Sequence, residues 1–416
     1  MLKQRNNCRV CGSTDLLKFM DFGKMPLAGG YLKKEDFVNE RSYPLKVYFC
    51  NICTLVQILD VVSADTLFRD YRYSSSVSLA NHFKNYAKEV SEKLDLKRGS
   101  FIVEIGSNDG VLLEPFTDLG MKTLGVDPAI NISNIAKSKG LEVMNDYFTE
   151  DVVKQIISSE GNADLVCANN VFAHIDDIPE VLKGVKTLLN KEGAFVFEVH
   201  YAVDLVKENQ YDTIYHEHLC YYSIKSLVYL LNLFGMEIFD IKRIPIHSGS
   251  VRVYARNKGQ GADSVSSSIA QLLRLEERMG LNDPKTYLSF AENAIKHKDE
   301  LVVLLKSIKN AKKNIICYGA PGRGNTLLNY CKIGPDMIDY VTDDSPERYN
   351  RYIPGMHLPI LPTEAMKKCY PDYALLLAWS YAEQVFKKEE EYIKNGGKFI
   401  IPISLKIYDK TNIRYI

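Results

Sequence analysis

The residues with the clearest chemical meaning are cysteines. Cys8 and Cys11 form one C-x-x-C pair and Cys50 and Cys53 a second. Two such knuckles supply four thiolates, the number that closes tetrahedrally round one zinc ion and leaves no ligand position open for water. The expected role of the metal is therefore structural. The chain has nine cysteines in all. An odd number spread over a long chain, with four bunched near the start, points to metal binding in reducing surroundings rather than to a secreted disulfide framework.

A second constellation is the stretch VEIGSNDG, residues 103–110, where an apolar run ends in a glycine-bearing turn that opens a helix. Such a turn lets backbone approach a ligand at a helix N-terminus. Glu104, Gly106, Asn108 and Asp109 form the turn, and Asp127 ends the next apolar run, where a carboxylate can take both hydroxyls of a ribose. Asn108 replaces the middle glycine of a dinucleotide fingerprint. The acid-G-x-x-x-G form resembles motif I of S-adenosylmethionine (SAM) methyltransferases more than a nicotinamide site. Asp146, Tyr147 and Phe148 after the third strand are expected near the adenine, and Asn169 or Asn170 after the fourth at the methionine end.

The densest set of proton-transfer groups is Tyr215-His216-Glu217-His218, downstream of Glu198 and His200. Adjacent residues cannot all converge on one metal and no H-E-x-x-H spacing is present, so proton transfer is the better use. Farther on, Gly319-Ala320-Pro321-Gly322-Arg323-Gly324-Asn325 joins a strand to a helix expected from Thr326. Backbone donors, Arg323 and the helix dipole together suit a diphosphate, with Gly322, Arg323 and Asn325 as its contacts. His247-Ser248-Gly249-Ser250-x-Arg252 is a smaller polar patch, with Ser250 and Arg252 as further substrate candidates.

These groups need scaffolds. FIVEIG, KTLGVD, ADLVCAN and GAFVFEV are short apolar runs separated by helical segments, the pattern of a parallel doubly wound sheet. SLVYLLNLFGMEIFDIKRI and SVRVYARN read as helix, strand and strand, closing that sheet with an antiparallel edge. Leu79, Phe83, Tyr86, Val90 and Leu94 recur at helical steps and lead into this unit. Residues from about 261 to 313 read as two joining helices, the second capped by Asp283 and opened by Pro284. NIICYG, MIDYVTDD, YALLLAW and KFIIPI return to α/β spacing, with YAEQVFKKEEEYIKNGG as one helix. The expected division is a zinc-binding domain over 1–72, a SAM-dependent methyltransferase domain over 73–258, a helical connection over 259–312 and a second Rossmann-like domain over 313–416.

Composition narrows the function. Of 416 residues, 52 are Lys or Arg and 52 Asp or Glu, so the formal net charge is zero and no global basic field exists to hold nucleic acid. No apolar run approaches about 18 residues and the N-terminus has no apolar leader, so a soluble cytoplasmic protein without a membrane partner is expected.

In combination, the paired C-x-x-C, VEIGSNDG, YHEH and YGAPGRGNTLLNYC resemble the SAM-dependent C-methyltransferases of nucleotide-linked keto-deoxysugars, whose best-known members act at C-3′. The resemblance covers nearly the whole chain. It implies a class I SAM-methyltransferase domain, a zinc-binding N-terminal domain, and a C-terminal Rossmann-like domain that helps hold the nucleotide of a nucleoside-diphosphate 4-keto-deoxysugar, dTDP-linked in the first instance. It also implies that Tyr215, Glu217, His218 and His174 are active-site residues, with Tyr73 in DYRYSSS as a further tyrosine. HSGSVR stands where HGGSLR is common in the family, and GRG where a lysine often precedes the last glycine. Carbon methylation needs a neighbouring carbonyl to acidify the C–H, and a 4-keto sugar supplies it. The base is then His218 or Tyr215, Glu217 orients it, and His174 and Tyr73 stabilise the enolate or position the sugar. The rivals are a nucleotide-sugar O-methyltransferase, which needs no enolate pocket, and a non-catalytic protein that binds SAM and the nucleotide sugar.

Overall fold

The computed structural model describes residues 2–69, 77–260 and 264–415, so Tyr73 lies outside the described residues. The chain divides into two compact units. The first gathers Met1–Leu17, Tyr48–Val203 and Leu219–Asp283; the second gathers Lys18–Val47, Asp204–His218 and Pro284–Ile416.

The first unit is organised by a seven-stranded sheet of β1 (Phe101–Ile105), β2 (Lys122–Val126), β3 (Val143–Met144), β4 (Ala163–Asn169), β5 (Leu189–His200), β6 (Met236–Ile244) and β7 (Ser250–Asn257). Their spatial order is β3-β2-β1-β4-β5-β7-β6. β1 to β5 are parallel, whereas β7 runs antiparallel to both β5 and β6. This is the class I SAM-methyltransferase sheet. Every residue of β1 is buried, as a parallel strand covered on both faces requires. The pleat separates them: Phe101, Val103 and Ile105 enter one core, and Ile102 enters the other beside Tyr86 and Phe116. Leu79, Phe83, Tyr86 and Val90 of α1 (Val77–Lys93) are all in that second core, as the helical spacing predicts. Chain order reverses beside β1, where β2 lies on one side and β4 on the other, and open α/β sheets bind ligands at such a switch point.

The second unit contains β8 (Ile315–Tyr318), β9 (Val341–Asp343), β10 (Ile360–Pro362), β11 (Tyr373–Leu376), β12 (Lys398–Ile401), β13 (Lys406–Asp409) and β14 (Asn412–Tyr415). The order is β10-β9-β8-β11-β12-β13-β14, with a parallel doubly wound core and a terminal antiparallel hairpin. β10 and that hairpin are additions to the strands expected from sequence. The expected helix over YAEQVFKKEEEYIKNGG is broken into Ala382–Lys388 and Glu390–Lys394 at Glu389, which leaves helical geometry, is buried, and accepts from Tyr318 Oη at 3.0 Å. The two helices Ser267–Arg278 and Pro284–Asn310 form as expected, and Pro284 is the first residue of the second. The unit boundary falls between Asp283 and Pro284, so the two helices belong to different units.

The N-terminal region also divides. The cysteine knuckles belong to the first unit, where Leu2–Gln4 pairs with Asp60–Val62 and Val56–Ile58 pairs with Cys220–Tyr221. Residues 18–47 and the YHEH segment belong to the second.

Candidate functional site

The four knuckle cysteines bring one sulfur each to within 4.8 Å of all the others. Cys8 Sγ lies 3.5 Å from Cys53 Sγ, Cys11 Sγ lies 3.5 Å from Cys50 Sγ, and all four thiols are free. A tetrahedral Zn–S distance of about 2.3 Å implies sulfur–sulfur edges of about 3.8 Å, so the cluster has the dimensions of a closed zinc site.

In the first unit, the turn after β1 is shaped to hold a ligand. Gly106 has φ +70°, and a Cβ there would stand 2.4 Å from Val171 Cγ2, so only glycine fits. Asn108, at φ +50°, presents its N–H to Asp127 Oδ2 at 2.8 Å, and Ala129 N–H donates to Oδ1 at 2.8 Å. A carboxylate has about four acceptor positions, so these two bonds orient Asp127 and leave capacity for hydroxyl donors. Burial raises the pKa of Asp127, and the two backbone donors oppose that. Glu104 is held well above the usual carboxylate range by burial first and then by the nearby Asp127 and Asp109.

Two buried groups point to a cofactor. Glu104 Oε2 and both amide atoms of Asn169, at the ends of the adjacent β1 and β4, have no hydrogen-bond partner among the described residues. An ammonium and carboxylate at the methionine end of SAM would satisfy them, so these residues fit the cofactor. Asp146 is exposed and Tyr147 half-buried, with its Oη donating to Asp65 Oδ1 at 3.0 Å. Phe148 departs from the expected adenine contact: its ring is in the core, where a Cβ on Gly184 would meet it at 2.9 Å.

Asp127→Ala should weaken SAM binding about 10–100-fold, the range for losing hydrogen bonds to a charged acceptor. Calorimetry should show the same loss for S-adenosylhomocysteine, with zinc content unchanged; equal affinity in the variant would place the cofactor elsewhere.

His174 lies on the short helix Phe172–His174, its ring stacked on Phe68 with centroids 5.8 Å apart. Burial pushes its pKa down to about 4, so it is neutral at pH 7. Ser250 and Arg252 need correction as substrate contacts. Arg252 Nε donates to the fully buried Glu198 at 2.8 Å, Nη1 pairs with Glu89 at 3.2 Å, and the guanidinium covers the Tyr86 ring. His82 adds a contact of 2.9 Å to Glu198. Ser250 is fully buried and donates to Ile246 O at 3.2 Å. The charges neutralise one another inside the fold, which is the condition for burying them.

The second unit places YHEH against the turn after β8. A Cβ on Gly322 would stand 3.5 Å from Tyr215 Cζ, and one on Gly29 would stand 3.4 Å from Glu217 Oε1. Thr326 Oγ1 donates to Ile214 O at 3.0 Å, tying the segment to helix α2 (Gly322–Cys331). That helix starts four residues before Thr326, with Pro321 as its N-cap, so Gly322 and Arg323 are its first residues. Asn325 differs from expectation: it is buried, and its Oδ1 accepts from Asn329 Nδ2 at 3.1 Å.

Within YHEH the residues have different surroundings. His216 is buried, donates from Nε2 to Pro44 O at 3.1 Å, and has a pKa lowered by burial. His218 Nδ1 lies 2.8 Å from Thr213 O. A carbonyl can only accept, so Nδ1 carries the proton and the neutral ring has its lone pair on Nε2. The rings of Tyr215 and His218 are 4.0 Å apart between centroids.

Several neighbours of this turn were not singled out by sequence. Asp343 ends β9, accepts from Ala320 N at 2.7 Å and pairs with Arg348 at 3.0 Å. Arg348 also donates to Ala320 O at 3.2 Å and covers the Tyr31 ring; Tyr31 Oη donates to the same carbonyl. Burial pushes the Tyr31 phenol up to about 12. The acid at the end of the second strand was a usable signal, since Asp343 repeats the position of Asp127. Tyr31, 289 residues from Ala320, carried none.

Three family models match: "Putative zinc binding domain" over residues 8–68, a methyltransferase domain over 79–240, and a C-methyltransferase C-terminal domain over 245–404. A C-methyltransferase, NovU, of Streptomyces niveus is 37% identical over 401 residues, covering 96% of this chain and 95% of its own. The protein belongs to the C-methyltransferase family. It is a SAM-dependent enzyme, with a zinc-binding N-terminal region and a second C-terminal domain. A ubiquinone biosynthesis O-methyltransferase of Rhodopseudomonas palustris is 30% identical to this chain over 109 residues, 26% of this chain and 42% of its own. A solved SAM-dependent methyltransferase of Clostridium acetobutylicum, 13% identical, covers 43% of this chain and 92% of its own at a TM-score of 0.34. No described helix is long and apolar enough to cross a membrane.

Proposed function

We propose that this C-methyltransferase moves a methyl group to the carbon beside the ketone of a nucleoside-diphosphate 4-keto-deoxysugar, C-3′, through an enolate, in deoxysugar biosynthesis. The observation that carries the reading is the packing of Tyr215, next to His218, on Gly322 at the start of α2. A proton-transfer pair there adjoins a turn whose backbone donors and Arg323 suit a diphosphate.

In this reading His218 Nε2, the ring nitrogen with the lone pair, or the Tyr215 oxygen takes the proton from the carbon beside the ketone. The C–H electron pair moves into the enolate. Glu217 orients the pair, and His174 and Tyr73 stabilise the enolate or position the sugar, since stabilising charge as it develops is usually the greatest single contribution to catalysis. Bound SAM supplies an electrophilic methyl, so one C–H bond is exchanged for one C–C bond and the proton leaves through the base. A free-thiol complement with no disulfide among nine cysteines suits the cytoplasm.

Incubation with SAM and a panel of nucleoside-diphosphate 4-keto sugars tests the substrate class. The expected product gains one methyl on carbon. Methyl on oxygen, or turnover equal without the nucleotide, would overturn the reading.

A further inference from the structure

The short turn Tyr211–Thr213, just before YHEH, holds a carboxylate that the mechanism does not use. Asp212 is 1% exposed. Its Oδ2 accepts from Trp379 Nε1 at 2.7 Å, and its Oδ1 has no hydrogen-bond partner among the described residues. Burial raises its pKa, and the positive charge of Arg323 is the strongest influence the other way. Trp379 is half-buried and is the chain's single tryptophan. The Arg323 guanidinium lies over its indole, 4.6 Å from the ring centroid. On the other side, the residue after Asp212 supplies the carbonyl that fixes His218 Nδ1.

An unbroken set of contacts therefore runs from Arg323 through Trp379 and Asp212 to Thr213 and His218. A buried carboxylate with one side-chain donor is costly, so its presence here calls for an explanation. We propose that Asp212 is a positioning residue which, through Trp379, couples the seat of Arg323 at the glycine-rich turn to the placement of the His218 imidazole. The inference rests on the reading that this turn takes a nucleoside diphosphate. Its consequence is that a diphosphate engaging Arg323 alters the face of the indole and tightens the turn that orients the base.

The test uses full-length protein titrated with thymidine 5′-diphosphate, read by tryptophan emission and, in parallel, by calorimetry. Wild-type emission should change with the dissociation constant that calorimetry gives. Asp212→Ala should lose the emission change, bind the nucleotide about tenfold more weakly, and lower kcat at saturating sugar. Asp212→Asn keeps an acceptor for the indole N–H and should restore most of both, a rescue that a loss of general packing would not show. Should Asp212→Ala fail to fold, Trp379→Phe decides: it keeps an aromatic face for Arg323, removes the donor, and should lower kcat more than it raises KM. Wild-type emission response and turnover in Asp212→Ala, wild-type turnover in Trp379→Phe, or equal impairment of the Asn and Ala variants would overturn the coupling. No nucleotide binding by wild type in calorimetry would remove the parent reading with it. Calorimetric binding with silent emission and an unimpaired Ala variant removes the coupling alone.

Discussion

His218→Asn is expected to lower turnover about 10²–10⁴-fold, the usual contribution of a positioned general base. Asparagine keeps much of the side chain's shape and a donor for the Thr213 carbonyl, which holds His218 Nδ1 at 2.8 Å, but it has no basic nitrogen to take the proton. SAM and nucleotide binding should stay near wild type, so the loss should appear in kcat rather than KM. Tyr215→Phe separates the two candidates, because its ring can still lie against Gly322 and His218 while the oxygen is gone. If the pair acts as one unit, both variants are impaired and the two losses do not sum. Steady-state rates on a methyl-accepting 4-keto sugar check this, and near-wild-type turnover in both variants would refute the assignment.

Cys50→Ser is expected to have the largest effect on folding. Binding of structural zinc carries an apparent free energy of about 10–16 kcal/mol in zinc-finger peptides, and here that binding is coupled to folding of the segment that carries the ligands. Cys8, Cys50 and Cys53 are essentially inaccessible to solvent and Cys11 is half-buried, so losing the metal leaves three of the four thiols without ligand or water. Serine nearly preserves volume yet offers a poor ligand. Elemental analysis should find one zinc per wild-type chain and well under one in the variant, with a lowered melting temperature. Chelator treatment of the wild type should move the melting curve the same way. Unchanged stoichiometry and melting in Cys50→Ser would dispose of the zinc assignment.

What the sequence disclosed follows from how local each signal is. The C-x-x-C spacing and the turn from Glu104 to Gly110 are encoded within a few residues, because a zinc knuckle and a ligand-binding turn are each short backbone geometries. The sheet of the first unit was legible for the same reason: its strands are continuous apolar runs buried on both faces. Arg252 misled because the group that neutralises it, Glu198, is 54 residues earlier, on the strand that pairs with β7. Phe148 follows a strand as an adenine contact would, but Gly184 on a later helix opens the space that draws its ring into the core. The division of the chain into units was the least visible feature. Residues 18–47 and 204–218 join the C-terminal domain through contacts such as Tyr31 with Ala320 and Thr326 with Ile214, more than a hundred residues apart in sequence. No periodicity or spacing records such pairings.

The base assignment and the carbon chemistry meet in one observable, exchange of the proton beside the ketone. Enzyme is incubated in deuterium oxide with a nucleoside-diphosphate 4-keto-deoxysugar and S-adenosylhomocysteine, which fills the cofactor site without a methyl to give, and the sugar is followed by mass and proton resonance. Wild-type protein should wash one deuterium into the carbon beside the ketone, and whichever of His218→Asn and Tyr215→Phe removes the true base should abolish that exchange. A sugar methylated on oxygen in a parallel reaction with SAM while its carbon-bound proton never exchanges, or exchange undiminished in both variants, would contradict proton removal by this pair.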